Sequence, residues 1–190
     1  MKERNWNILF IGGPSGTGKS SLAQALARHY QTSVIEADDV HQVVKAVTTK
    51  ERFPAVHHWS TGLDWKDIGV NGNVEWLTNV SKELVTALKS LADRYMEDGL
   101  PVIIEGDFIC PAFAASLRDP KIKALYVVEF DREQLVRNYH AREGGELQHY
   151  RAEIGVAYGK RLADACGALG IPVIEARPWE TVADRAMDAL

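Results

Sequence analysis

Cysteine is nearly absent, and the two that occur, Cys110 and Cys166, stand at no metal-ligand spacing. That argues against a disulfide framework and against a zinc site, and each thiol is expected as a small reduced hydrophobe, buried or near the surface. Long apolar runs are missing as well. Stretches such as Ile8 to Ile11 and Pro101 to Ile104 fall far short of the roughly 20 residues that cross a bilayer. The opening Met1-Lys2-Glu3-Arg4-Asn5-Trp6 has neither the apolar stretch nor the cleavage site of a secretory signal. A cytoplasmic location without a membrane partner is therefore expected. Nor is positive charge in excess: a net charge of -4 and a pI near 5.9 speak against holding nucleic acid by general phosphate attraction, leaving only a local basic cleft open. The histidines form no HxH or HxxxH cluster, and the adjacent His57-His58 would not be aimed at one metal by strand or helix geometry.

What is present is enough for one core. At 190 residues, 46% hydrophobic and 25% charged, the chain suits a single compact domain over residues 1–190, and a monomer or homodimer. Trp6 to Ile11 reads as a strand ending in glycines, and Leu22, Ala23, Leu26 and Ala27 recur at helical spacing within Ser20 to Tyr30. Ser33 to Glu36 reads as a second strand. Val40, Val43, Val44 and Val47 mark a helix after it. Residues 48–73 lose the pattern among Pro54, His57-His58, Trp59, Trp65 and several glycines, which predicts loop and short helix over a site. Leu77, Val80, Leu84, Leu88, Leu91 and Tyr95 predict one long helix over 74–96, closed by Asp98-Gly99. Val102 to Ile104, Ala124 to Phe130 and Ile171 to Glu175 supply three more strands. Helices are expected over 132–142, over 150–169 and from Thr181, and the alternation implies an α/β fold around a mostly parallel sheet.

Gly13-Pro14-Ser15-Gly16-Thr17-Gly18-Lys19-Ser20 matches the eight-position phosphate-binding loop, placed between a predicted strand and a predicted helix. Glycine permits the positive φ values that turn successive amides toward one anion, and the helix that follows presents its unpaired N–H groups to the same charge. Lys19 can reach the β- and γ-phosphates and the Ser20 hydroxyl can ligand magnesium. The candidate nucleotide-binding residues are Gly13, Pro14, Ser15, Gly16, Thr17, Gly18, Lys19, Ser20 and Ser21. A glycine turn with an incidental lysine is the competing reading.

Polar residues at the carboxyl ends of parallel strands outrank polar residues elsewhere. Asp38 and Asp39 follow the second strand, Glu105 and Asp107 close the third, and Glu175 ends the fifth. A phosphoryl transfer needs one acid near magnesium and another that takes or orients the acceptor's hydroxyl proton. Glu105 suits the first role and Asp38 the second, with Asp107 an alternative near the metal and Asp39 either a base or a cap for the next helix. Arg132, Arg137 and Arg142 lie on the charged segment that runs into Gly144-Gly145. An arginine carried by a hinged lid over residues 132–150 would stabilise the charge that spreads over a transferred phosphoryl group. Arg142 and Arg137 are the candidates, and Arg132 reads as a solvated helix face; Arg137 has a second reading, stacking on the base. Trp59 and Trp65 are either pocket walls or a small satellite core.

These residues carry a resemblance. The phosphate loop resembles that of the P-loop small-molecule kinase superfamily. Val102-Ile103-Ile104-Glu105-Gly106 followed by Pro111, then Tyr126-Val127-Val128 and the arginine-rich segment, resemble the 2-phosphoglycerate kinase-like group. The layout is also similar to the chloramphenicol phosphotransferase and zeta-toxin group, in which an aspartate in the place of Asp38 is the base. Ala141-Arg142-Glu143-Gly144 looks like the lid of gluconate and shikimate kinases. The resemblance implies a three-layer fold with a five-stranded parallel sheet in the order 2-3-1-4-5 and helices on both faces. It further implies ATP and Mg2+ as cofactors, Arg177 and Pro178 near the adenine, and a small-molecule acceptor held by residues 40–73. Those lids often carry two arginines four apart, whereas Asn138 stands four before Arg142, which leaves the division between Arg137 and Arg142 open. A small-molecule kinase is the leading expectation; a nucleotide hydrolase or a nucleotide-binding regulatory module without an acceptor is the alternative.

Overall fold

Inner strands of a parallel sheet are covered on both faces, so their residues are apolar without alternation, and two stretches of the chain meet that condition completely. Every residue of β1 (Ile8–Gly12) and of β3 (Val102–Gly106) is buried. A computed structural model describes residues 3–60, 62 and 64–190, the side chain of Trp59 excepted; the pocket role expected for Trp59 thus lies outside the described residues. With β2 (Ser33–Glu36), β4 (Ile122–Val128) and β5 (Val173–Glu175), these strands form one all-parallel sheet in the order β2-β3-β1-β4-β5. This is the order the resemblance implied.

The connections are helical: α1 (Lys19–Tyr30), α2 (Ala37–Val47), α3 (Gly69–Glu83), α4 (Val85–Glu97), α5 (Pro111–Ser116), α6 (Arg132–Glu143), α7 (His149–Leu169) and α8 (Val182–Ala189). The pleat divides their partners. Leu9, Ile11, Ile103, Leu125 and Val127 face α1 and α8, while Ile8, Phe10, Val102, Ile104 and Tyr126 face α2, α3, α4, α5 and α7. A third cluster of Leu135, Val136, Tyr139 and Ala152 fastens α6 to α7.

Three expectations need correction. The stripe from Leu77 to Tyr95 does face the core, but it belongs to two helices that meet at the fully buried Leu84. Backbone hydrogen bonds still run through that junction, Leu84 to Val80 at 3.1 Å and Leu88 to Leu84 at 3.0 Å, so the apolar period hides the break. Second, α2 starts at Ala37 with Glu36 as its N-cap. Asp38 and Asp39 therefore lie in its first turn, Asp39 is no cap, and the helix turns Ala37 and His41 inward while Val43 and Val47 stand 65% and 77% exposed. Third, α5 was not anticipated; its six residues are too few to show a period, although Pro111 sits at the first turn, where the missing N–H has no cost.

Candidate functional site

The loop between β1 and α1 is held in one shape by hydrogen bonds to its carbonyls. The Pro14 carbonyl accepts from the Thr17 hydroxyl at 3.0 Å and from Lys19 Nζ at 3.1 Å. The Ser15 carbonyl accepts from the Tyr139 hydroxyl at 3.0 Å, and the Gly16 carbonyl from Asn138 Nδ2 at 2.8 Å. In a trans peptide the C=O and the next N–H point opposite ways. Fastening three successive carbonyls to the protein therefore turns the amides of Ser15, Gly16 and Thr17 toward the cleft. Gly16 at φ 80° and Gly18 at φ 87° occupy the left-handed region, and a side chain at either would collide with the ring of Tyr139 or of Trp179. No side chain caps α1, so its first amides are left for an anion.

Two cavities open on this loop. One, of about 570 Å³, is lined by Gly16 to Ser21, Asn138, Arg142, Arg177 and Trp179, among others. The other, of about 520 Å³, lies between α3 and α7 and is lined by Ser15, Asp38, Trp76, Asp107, Arg142 and Arg151, among others. Among the described residues, Arg142 is the one that lines both. A nucleotide extended along the first cavity with its last phosphate at Arg142 would meet whatever occupies the second.

Between them lies a tight charge cluster. Lys19 Nζ contacts Asp107 Oδ1 at 2.5 Å. Glu105, 2% exposed and accepting from the Ser20 hydroxyl, is pushed up from the ordinary carboxylate range by burial, against the pull of Lys19. Asp38 faces the second cavity. Loss of hydration there, together with the charges of Asp107, Glu105 and Glu36, raises its carboxyl to about 6 despite Lys19. That is the range in which a carboxylate works as a proton acceptor near neutrality. Asp39 lines neither cavity.

The lid residues separate in the structure. Arg142 pairs with Glu143 and reaches Ser15 Oγ at 3.4 Å. Arg137 turns away to Gln134 at 2.8 Å and Asp131 at 3.4 Å, and lines neither cavity. The place four before Arg142 is filled by Asn138, which holds the phosphate loop instead. Arg151 went unnoticed in the sequence because it sits inside the regular helix α7. It bonds Ser15 Oγ at 3.2 Å, pairs with Glu143 at 2.8 Å and lies 4.4 Å from the centre of the Tyr139 ring. Arg177 lines the first cavity, 3.7 Å from Glu129, and beside it Trp179 rather than Pro178 forms the wall. Of residues 40–73, Trp65 and Asn73 reach the second cavity; α3 beyond Asn73 and α7 supply more of its wall.

A 2-3-1-4-5 parallel sheet with a glycine-rich loop wrapped over the start of α1 defines the P-loop fold. The chain belongs to the family of the AAA domain, whose profile matches residues 8–153. Its relatives include the 2-phosphoglycerate kinase of Pyrococcus furiosus, 31% identical over 141 residues that cover 71% of this chain and 46% of that one. That of Methanocaldococcus jannaschii is 24% identical over 196 residues, covering 96% and 62%. The chain thus spans about half the length of these relatives. Among solved structures, a gluconokinase from Sinorhizobium meliloti 1021 superposes with a TM-score of 0.56 at 17% identity, covering 99% of this chain and 93% of that one. A shikimate kinase from Acinetobacter baumannii superposes with a TM-score of 0.53 at 13% identity, covering 97% and 91%. These two likenesses establish the fold. No helix among the described residues is long and apolar enough to cross a membrane.

Proposed function

We propose that the protein is an ATP-dependent kinase that moves the γ-phosphoryl group to a hydroxyl of a small-molecule acceptor. The observation that carries this reading is the meeting of two cavities at Arg142, with the phosphate loop in one and Asp38 in the other. A hydrolase needs room for water alone. A second cavity of about 520 Å³ is of the size that takes a whole small molecule.

Each residue then has a task. The amides of Ser15, Gly16 and Thr17 and the Lys19 ammonium hold the phosphate chain, with Ser21 and Arg177 farther along the first cavity. Ser20 and Glu105 offer an oxygen-only donor pair already in contact, which fits Mg2+. Bound there, the metal would neutralise charge on the β- and γ-phosphates. Asp38 accepts the hydroxyl proton, the acceptor oxygen bonds to the γ-phosphorus, and the bond to the β–γ bridging oxygen breaks with its electron pair leaving on ADP. Arg142 and Arg151 face the equatorial oxygens. Because Ser15, Glu143 and Tyr139 fix both arginines, little reorganisation is left for the moment of transfer.

The test is ADP release from Mg-ATP with and without a panel of hydroxylated metabolites, with products read by mass for the gain of one phosphoryl group. Acceptor-dependent ADP release with a phosphorylated product is expected. Hydrolysis that no acceptor alters would replace the kinase with a hydrolase.

A further inference from the structure

The acceptor cavity has little spare positive charge with which to hold a phosphorylated acid. Its far wall is Trp65, Trp76, Leu77, Phe108 and Ile154. Among the described residues that line it, positive charge comes only from Arg142 and Arg151. Both are paired with Glu143 and both touch Ser15 Oγ. Two arginines share that single carboxylate, so one positive charge is left over, and it sits at the phosphate-loop end, where the transferred group passes. The remaining charged groups of the lining, Asp38 and Asp107, are negative. Asp107 is held by Lys19, which leaves Asp38 as the carboxylate facing the cavity; an acceptor that brought its own carboxylate and phosphate would lose hydration against apolar rings with one spare cation to meet them, the one beside the transferred group. Buried charge without a partner is strongly disfavoured.

A buried polar group of the wall points the same way. Asn73 spends both amide hydrogens on backbone carbonyls, Trp65 at 2.6 Å and Gly69 at 2.8 Å. What it can present to a ligand is therefore an acceptor oxygen, which suits a hydroxyl or amide donor and repels an anion. The rings are held in place as well. Trp76 donates to the Ala55 carbonyl at 2.9 Å and stacks on His58 at 4.9 Å, Trp65 packs on Tyr150 at 4.9 Å, and Phe108 on His41 at 5.1 Å. Fixed apolar walls with a few placed polar atoms select an apolar body and orient its one reactive group.

We propose that the acceptor is an uncharged alcohol with an aromatic or apolar body, its hydroxyl at Asp38 and its ring among Trp65, Trp76 and Phe108. The inference rests on the kinase reading for its chemistry, in which the alcohol oxygen takes the γ-phosphoryl group and its proton goes to Asp38. For its selectivity it rests on the cavity alone. It also sets this chain apart from the relatives named for 2-phosphoglycerate.

Two measurements separate the layers. Binding of 2-phenylethanol, 2-(1-naphthyl)ethanol and 2-(indol-3-yl)ethanol, against 2-phosphoglycerate and gluconate, is read by calorimetry with magnesium and a non-hydrolysable ATP analogue present. Turnover of the same five compounds with Mg-ATP is read as ADP and phosphorylated product. The aromatic alcohols are expected to bind and react with a kcat/KM at least about tenfold above that of either acid. In Leu77→Arg, which adds a cation to the wall, alcohol binding should weaken by about tenfold or more and 2-phosphoglycerate binding should strengthen. Preference for 2-phosphoglycerate or gluconate in the unaltered protein overturns the inference and leaves the kinase standing. So does failure of every alcohol to bind while an acid is phosphorylated. Alcohol binding without transfer, together with ATP hydrolysis that none of the five alters, upholds the selectivity and replaces the kinase with a hydrolase.

Discussion

Acid is the perturbation that reads the role proposed for Asp38. With its carboxyl raised to about 6 by lost hydration and by Asp107, Glu105 and Glu36, the proposed proton acceptor is ionised above that pH and blocked below it. Between pH 7 and pH 5 its ionised fraction falls from about nine-tenths to about one-tenth, so kcat/KM should fall about tenfold. An ordinary aspartate would lose less than about a tenth over the same interval. Initial rates of ADP release across pH 4.5 to 8 at constant ionic strength give the limb, and carboxyl-carbon NMR of the nucleotide-free protein gives the titration directly. Asp38→Asn should remove both. Stability carries the opposite sign. The folded protein holds this proton more tightly than the unfolded chain, so Asp38's contribution is fully present below about pH 4 and is lost as pH rises through about 6. Near pH 7, Asp38→Asn should accordingly melt no lower than the parent. A rate limb near pH 4, or a limb near 6 that survives in Asp38→Asn, would refute the assignment.

The other expectations are simpler to read. Lys19→Ala removes the cation beside Asp107 and the γ-phosphate and should lower kcat by about 3 kcal/mol of transition-state stabilisation, or somewhat over a hundredfold; a kcat near the parent's would take Lys19 out of the chemistry. Arg142→Ala should cost kcat at least about a hundredfold while Arg137→Ala changes it by less than about threefold, since only Arg142 lines the cavities; equal losses in steady-state assays would contradict that division. Gly16→Ala should weaken nucleotide binding and destabilise by about 1–3 kcal/mol, because it puts a methyl group into Tyr139 at a left-handed backbone position; unaltered calorimetric affinity would mean that the loop relaxes. Leu88→Ala, at a fully buried point of α4, should cost about 3 kcal/mol in urea denaturation at unchanged slope; a loss below about 1 kcal/mol would mean the core closes over the gap.

Legibility in the sequence followed the range of the interactions. The phosphate loop was readable because its work is done by backbone, and the glycines that free that backbone are written at fixed spacing. The buried strands were readable because a doubly covered parallel strand admits little but apolar residues. Glu105 stood out as a carboxylate closing such a strand, and the Ser20 hydroxyl does reach it. What escaped depends on contacts across the fold. Nothing in a helical period marks the bend at Leu84, since the apolar stripe continues through it. Arg151 lies 136 positions from the Ser15 it touches, and its own helix gives no sign of that. Arg137 stands in the sequence as a second candidate beside Arg142, yet one step in register sends it to Asp131 and Gln134.

Those distant contacts also join the phosphate loop to the wall of the second cavity. Ser15 takes Arg142 and Arg151 on its hydroxyl and Tyr139 on its carbonyl, while Asn138 holds Gly16. Tyr139 and Ala152 lie in the cluster that fastens α6 to α7, and α7 carries Ile154, Gly155 and Tyr158 into the acceptor cavity. Tyr158 in turn donates to the Asp107 carbonyl at 3.0 Å, and the Asp107 carboxylate holds Lys19. The hydrogen bonds thus close a ring from the loop through α6 and α7 to the end of β3 and back. A tightly packed ring of this kind shifts between discrete arrangements rather than deforming by degrees. On the proposed kinase reading, filling the phosphate loop therefore bears on the walls that receive the acceptor, and the two substrates are coupled through one small set of side chains.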